Sequence, residues 1–310
     1  RLSSLDREAI RMKLLLLGAN GQLGQELRRA LPEVGEVKAC DRYEVDLTDT
    51  QSVLLALETF NPDIVINAAA YTAVDKAETN CIQAFSVNAD AVRFLANEVE
   101  KRGIWLIHYS TDYIFDGRKD DAYRETDPTN PVNVYGESKL AGEQAVIAKG
   151  SKYLIFRTSW VIGKDGNNFA KTILKLASGH DTLNVINDQI GVPTSPALIS
   201  KVTVSAINAI KNGDAWLVGI YHLAPKGKTT WFGVAEVLLD IATNSNIELS
   251  TRTTQIKATI TAEYPTAAKR PLNSCLNTDK LAEYLSFELP HWKDDFFVTA
   301  KSIIKEFKAV

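Results

Sequence analysis

Short apolar runs alternate with longer amphipathic stretches from Met12 to about Trp160. The first run, Leu14-Leu15-Leu16-Leu17, is wholly apolar and stops at Gly18-Ala19-Asn20-Gly21-Gln22-Leu23-Gly24. A run that is apolar at every position, rather than at alternate ones, marks a strand buried on both faces of a parallel sheet. Comparable runs predict strands over 37–40, 63–67, 105–110 and 153–158, and the stretches between them predict helices over 22–31, 50–60, 82–102 and 135–149. Strand and helix in turn is βαβ repetition, hence an α/β fold with a parallel, doubly wound sheet. Residues 115–133, rich in Asp, Gly, Pro, Asn and Thr, read as a loop. Beyond Trp160 the alternation becomes irregular: a polar loop at 163–168, helices near 169–178, 198–211 and 232–243, a turn-rich patch at 185–194, a strand at 219–223 and a loop at 268–273. The expected organisation is a sheet domain over 12–162 and a smaller, discontinuous C-terminal substrate domain over 163–310, some of whose segments return to the sheet. Residues 1–11, mixed and charged, read as an extension or tag remnant.

The glycine run carries the first candidate chemistry. Strand, tight glycine turn and helix form the phosphate-binding corner of the Rossmann arrangement, where glycines let the backbone approach a pyrophosphate at a helix N-terminus. The spacing of Gly18, Gly21 and Gly24 is Gly-x-x-Gly-x-x-Gly, a variant of the usual fingerprint. Asn20, Gln22 and Leu23 fill the turn. The second strand ends at Asp41-Arg42. An acidic residue about 20 positions past the loop binds ribose hydroxyls and favours NADH, whereas an arginine there holds a 2′-phosphate and favours NADPH. Both cofactors therefore stay open, and Asp41 also suits a turn cap. Asp46-Leu47 is expected to close over the adenine. Ala68-Ala69-Ala70 follows the third strand, and small residues at a strand's carboxyl end admit a ligand.

A proton-transfer pair lies further along. Tyr135 and Lys139 are four residues apart, one turn of helix and on one face. A phenol with pKa near ~10 is a poor acid–base group at neutral pH. A nearby ammonium favours the phenolate and is expected to lower that pKa. Thr111 and Asp112 end the fourth strand, at the sheet edge where chemistry belongs in this architecture. The plain alternative is a surface tyrosine beside a surface lysine.

Composition narrows the class. Net charge is −3 with no basic stripe, so no nucleic-acid partner is expected. The three cysteines are scattered and odd in number, which suits a reducing cytoplasmic setting and excludes a full disulfide framework. The four histidines show no ligand spacing, so no metal site is expected. No apolar stretch is long enough to span a membrane.

The runs Gly18-x-x-Gly-x-x-Gly24, Asn67-Ala-Ala-Ala70, Ala73-Val-Asp-Lys-Ala-Glu78, His108-Tyr-Ser-Thr-Asp-Tyr113, Tyr135-x-x-x-Lys139, Phe156-Arg-Thr-Ser-Trp160, Gly166-Asn-Asn-Phe169, Val185-Ile-Asn-Asp-Gln189 and Arg270-Pro-x-Asn-Ser274 together resemble the extended short-chain dehydrogenase/reductases. Within them the chain is most similar to the dTDP-4-dehydrorhamnose reductase family. The resemblance implies reduction of a dTDP-4-keto sugar by NADPH or NADH, with Thr111, Tyr135 and Lys139 as catalytic triad. It implies a substrate site of Tyr71, Thr111, Asp112, Trp160, Asn168, Gln189 and Arg270, with Trp160 against the sugar and Arg270 on the pyrophosphate. Residue by residue, a core tryptophan and a surface ion pair are the alternatives for these last two. Some members bridge a dimer through Mg²⁺ held by two glutamates. The corresponding positions here are Glu26 and Ala197, and alanine cannot ligate, so a metal-free monomer or weak homodimer is expected. A reductase or epimerase of another nucleotide sugar, or a non-catalytic NADP-binding regulatory subunit of the methionine adenosyltransferase type, would share the nucleotide half.

Overall fold

The computed structural model describes residues 11–213 and 218–308, so nearly all of the expected N-terminal extension lies outside the described residues. Among the described residues, ten strands and eleven α-helices follow in chain order. The first five strands are β1 (Lys13–Leu17), β2 (Glu36–Cys40), β3 (Ile64–Asn67), β4 (Trp105–Thr111) and β5 (Tyr153–Thr158). Between them run α1 (Gln22–Ala30), α2 (Thr50–Phe60), α3 (Val74–Ala77), α4 (Cys81–Phe85), α5 (Ala91–Lys101) and α6 (Val134–Lys149). The later elements are α7 (Phe169–Gly179), β6 (Leu183–Ile186), β7 (Ile190–Gly191), α8 (Pro196–Asn212), β8 (Gly219–Leu223), β9 (Thr229–Thr230), α9 (Trp231–Asn244), β10 (Ile256–Thr259), α10 (Asp279–Ala282) and α11 (Trp292–Lys308).

Six strands form the central sheet in the order β2-β1-β3-β4-β5-β8, all parallel. The leucines of β1 divide between its faces. Leu14 and Leu16 pack with Leu27 of α1 and Leu198, Ile199 and Val202 of α8, while Leu15 and Leu17 pack with Val53 and Leu57 of α2 and Leu95 of α5. Burial on both faces is why the run is apolar without alternation. Leu17 pairs with Asn67, Asn67 with His108, and Thr111 with Thr158, so the carboxyl ends of β1, β3, β4 and β5 lie along one edge. Strand order reverses between β1 and β3, and that reversal opens a ligand crevice outside the strand ends.

Several elements differ from the sequence expectation. The single helix expected at 82–102 is α4 and α5 joined by a π turn, Ser86–Asp90. The turn-rich patch at 185–194 takes in the end of β6, which pairs in parallel with β10, and all of β7, which pairs antiparallel with β9. Neither partner strand was legible, because each is too short to show a period. α8 and β8, from the second half, complete the central sheet's layer. A separate apolar core gathers Trp160, α7, β6, α9 and α11. The unpredicted α11 buries Phe296, Ala300, Ile303 and Ile304, a helical spacing that was present in the sequence.

Candidate active site

Gly18 adopts φ +79°, and a Cβ there would lie 2.6 Å from the Ala69 nitrogen. A Cβ on Gly24 would lie 2.0 Å from the Gly18 oxygen. Only glycine fits either place, so the turn packs tightly under Ala68-Ala69-Ala70. A cleft of about 380 Å³ opens here, lined by Gly18, Asn20, Gly21, Asp41, Arg42, Asp46, Leu47, the three alanines and Tyr71, with Val45, Thr48, Gln83 and Val87 completing it. Gly21 caps α1 without a side-chain hydrogen bond, and no acidic residue occupies the first turn. The free N–H groups and the backbone-lined floor fit a dinucleotide pyrophosphate.

Asp41 combines both of its sequence readings. It lines the cleft and also caps a turn: its Oδ1 accepts from the Tyr43 and Glu44 nitrogens at 2.8 and 3.1 Å, and its Oδ2 accepts from Asn20 Nδ2 at 2.8 Å. Arg42 stands exposed, 3.6 Å from the Asp46 carboxylate. Hydrogen bonds from Thr48 hold Asp46 below the usual carboxylate range. Leu23 packs against the core beneath β1. Gln22 turns away from the cleft, where its Oε1 accepts from Gly163 N and Asn168 Nδ2, both at 3.1 Å.

Thr111, Asp112, Tyr135 and Lys139 come together at the ends of β4 and α6. Asn133 caps α6, its Oδ1 accepting from Gly136 N at 2.8 Å. Lys139 is 3% exposed, and its ammonium donates to the Tyr109 carbonyl at 2.7 Å. Burial pushes it down to about 8, while Glu143, one turn on, pulls it back up. The expected lowering of Tyr135 is not what this geometry produces. Burial pushes the phenol up to about 12, a hydrogen bond with Thr111 partly offsets this, and Asp112 adds to the rise. A phenol in that state keeps its proton at neutral pH and serves as a donor. Tyr113 stands edge-on to Tyr135 at 5.8 Å.

The remaining predicted residues are Trp160, at the end of the first half, and Gln189 and Arg270 of the second. Trp160 has φ +43°, a left-handed conformation costly for a bulky residue, and its indole seats on Gly191, where a Cβ would lie 2.5 Å away. It stacks on Trp231 at 3.7 Å and is 9% exposed. Trp231 donates to Gln189 Oε1 at 3.1 Å, and Gln189 donates to Thr261 at 3.1 Å. Arg270 forks Asp75 at 2.7 and 2.6 Å, the ion pair named as its alternative. The fork holds the Asp75 carboxyl at about 2.

The family model for the RmlD substrate binding domain matches residues 12–305. The chain belongs to that family. RmlD-family relatives include the dTDP-4-dehydrorhamnose reductases of Salmonella typhimurium and Escherichia coli K12, each 44% identical over 286 residues, covering 91% of this chain and 95% of the relative. A Bacillus anthracis dTDP-4-dehydrorhamnose reductase crystallised in complex with NADP superposes with a TM-score of 0.84 at 32% identity, covering 97% of this chain and 100% of that one. The Clostridium acetobutylicum structure gives 0.84 at 35%, covering 94% and 99%. The RmlD architecture thus accounts for the parallel sheet and the glycine-floored cleft.

Two residues in contact with the predicted ones escaped the sequence reading. Trp231, part-exposed and stacked on Trp160, was signalled only by Thr229-Thr230 before it, of which Thr230 caps α9. Asn88, on the π turn, accepts from Tyr71 N at 2.8 Å and donates to Tyr71 O and Ser138 Oγ, both at 3.0 Å. It ties a cleft residue to the Tyr135 helix. An asparagine amid good helix formers was its sole signal.

Proposed function

We propose that the protein reduces the 4-keto group of dTDP-4-dehydro-L-rhamnose to give dTDP-L-rhamnose, a donor for cell-surface polysaccharides. The observation that carries this reading is the gathering of Thr111, Tyr135 and Lys139 at the ends of β4 and α6, with Tyr71 of the glycine-floored cleft tied through Asn88 to Ser138 of α6. RmlD-family membership supports the substrate class. Residues 12–162 hold NADPH or NADH, with the Gly18–Gly24 turn on its pyrophosphate and Asp41 and Arg42 at the adenosine ribose. Residues 163–310, apart from α8 and β8, supply most of the sugar-nucleotide side. A bound reduced nicotinamide supplies a hydride to the carbonyl carbon. Tyr135 gives the proton that the carbonyl oxygen needs, and Thr111 donates to that oxygen as charge builds. Lys139, kept cationic at neutral pH, stabilises the phenolate left behind. Tyr71, Trp160, Asn168 and Gln189 border the sugar, and Asp112, enclosed behind Thr111, acts on it only through that hydroxyl. Arg270 faces the diphosphate once its fork with Asp75 opens. Such an enzyme works in the cytoplasm, where its cofactor resides.

Mixing the protein with dTDP-4-dehydro-L-rhamnose and each cofactor, and following loss of reduced-nicotinamide absorbance, tests the reading. Tyr135→Phe is expected to lose roughly 10²–10⁴-fold in turnover with cofactor affinity kept. Turnover within a few-fold of the parent would remove Tyr135 from the mechanism. Calorimetry with free dTDP separates this reading from a regulatory NADP-binding subunit, which would show neither turnover nor dTDP binding.

A further inference from the structure

Asp112 follows Thr111 at the carboxyl end of β4 and is 3% exposed. Its Oδ1 accepts from the Thr111 hydroxyl at 3.0 Å, and its Oδ2, fully enclosed, has no hydrogen-bond partner among the described residues. The Thr111 oxygen also accepts from the Tyr113 nitrogen at 3.2 Å, and the Tyr135 phenol lies close enough for its proton to feel that hydroxyl. A hydroxyl has one hydrogen and two lone pairs. Tyr113 takes one lone pair. An ionised carboxylate can only accept, so it claims the hydrogen, and the second lone pair is left to accept from Tyr135. In that arrangement Thr111 has no hydrogen for the reacting oxygen, and Tyr135 directs its own proton at Thr111. A protonated Asp112 reverses the order. It donates to the second lone pair, Thr111 turns its hydrogen outward, and Tyr135 is freed to donate as well.

We propose that Asp112 is a positioning residue whose proton sets the direction of the Thr111 hydroxyl, so that Thr111 and Tyr135 both donate to the reacting oxygen only when the carboxyl is protonated. This rests on the carbonyl-reductase reading given above. Burial pushes the Asp112 carboxyl up to about 6, with the nearby hydroxyls of Ser274 and Thr111 restraining the rise. The groups around it are Tyr113 on the same turn, Tyr135 from α6, and Ser274 and Cys275 from the segment after Arg270. The nearby cations, Arg270 and Lys228, act on Tyr113 and Cys275. Substrate that displaces water and brings an anionic diphosphate moves the carboxyl further in the same direction.

The test is the pH dependence of kcat from about pH 5 to about pH 9, the interval that contains both candidate titrations. In the parent, kcat should fall as pH rises through the Asp112 titration, at or above about 6. The amide of Asp112→Asn can donate to Thr111 at every pH. That variant should keep kcat within about threefold of the parent's acid plateau and lose this limb, while Asp112→Ala should fall by roughly 10–100-fold, within the range for a proton-transfer contribution. An Asn variant as slow as the Ala variant, or a parent profile flat through the interval, would overturn the proposal. A readout without turnover accompanies it: the Asp112 carboxyl signal, assigned by its loss in Asp112→Asn, is followed by carbon NMR. Thr111→Val should raise its titration midpoint, because the bond that favours the ionised form is gone. An unmoved midpoint disconnects the two residues. Absence of turnover in the parent would instead count against the reductase reading, with the NMR arm still deciding the Asp112–Thr111 link.

Discussion

A lysine as deeply enclosed as Lys139 gives up its hydration for one carbonyl and the field of Glu143. Its folded pKa lies below the ordinary lysine range, so from about 8 upward the folded chain releases a proton that the unfolded chain keeps until about 10.4. Stability therefore rises with pH across that window, and the cost of the buried charge is full at neutral pH. It amounts to about 3 kcal/mol by linkage. Lys139→Met should abolish turnover yet melt above the parent at neutral pH, by about 1–2 kcal/mol once the orphaned Tyr109 carbonyl is counted. A lower melting temperature would mean that the Tyr109 contact outweighs the burial. In the parent, kcat should decline as pH rises through about 8, when the ammonium beside the phenol is lost. Arg42 carries a second residue-scale expectation. It is exposed at the cleft edge and only loosely paired with Asp46. Arg42→Ala should weaken NADPH more than NADH in a binding titration, since only NADPH carries the 2′-phosphate; equal weakening would place Arg42 elsewhere.

The element that matters most is α6, because it carries Tyr135 and Lys139. Its outer end is set by the Asn133 cap, and its underside by Glu143, which receives Arg157 of β5 at 2.8 to 3.2 Å. Both partners are buried, and Arg157 pairs in register with Ser110, beside Thr111. Breaking a buried pair from one side leaves an unpaired charge in the core, at a cost of about 3–5 kcal/mol. Glu143→Ala should lower unfolding stability by that amount in a denaturant titration. Glu143→Ala combined with Arg157→Met should recover the part owed to the stranded guanidinium, while Lys139 still lacks the field of Glu143. A double variant no more stable than the single one would show that the pair acts through shape rather than charge.

At the scale of the whole molecule, the two halves are joined through Gln22 with Gly163 and Asn168, and through Asp75 with Arg270. Glu26 is paired with Arg29, which also holds Asp165, and Ala197 stands exposed on the first turn of α8. Among the described residues of one chain, no three His, Cys, Asp or Glu side chains are gathered as metal ligands. Activity and oligomeric state, measured by turnover and light scattering, are expected to be indifferent to EDTA and to added Mg²⁺. Dimer loss on chelation would show that a different ligand set replaces the missing glutamate.

The nucleotide end of this protein was legible because its signals are local. A strand buried on both faces must be apolar throughout, and a turn with φ +79° pressed against Ala69 must be glycine. Tyr135 and Lys139 share a face because helical spacing puts them there. Tertiary structure alone decided what depends on distant neighbours. Burial, against which the Thr111 contact works only in part, holds the resting Tyr135 phenol above its ordinary range, whereas the local spacing with Lys139 pointed to a lowering. Arg270 meets Asp75 across 195 positions of chain, and Gln22 meets Asn168 across 146. The short pairs β6–β10 and β7–β9 exist only as partners, since two to four residues carry no period of their own. Side-chain chemistry is written locally, whereas the field and the pairing that tune it come from residues that only folding brings within a few ångströms.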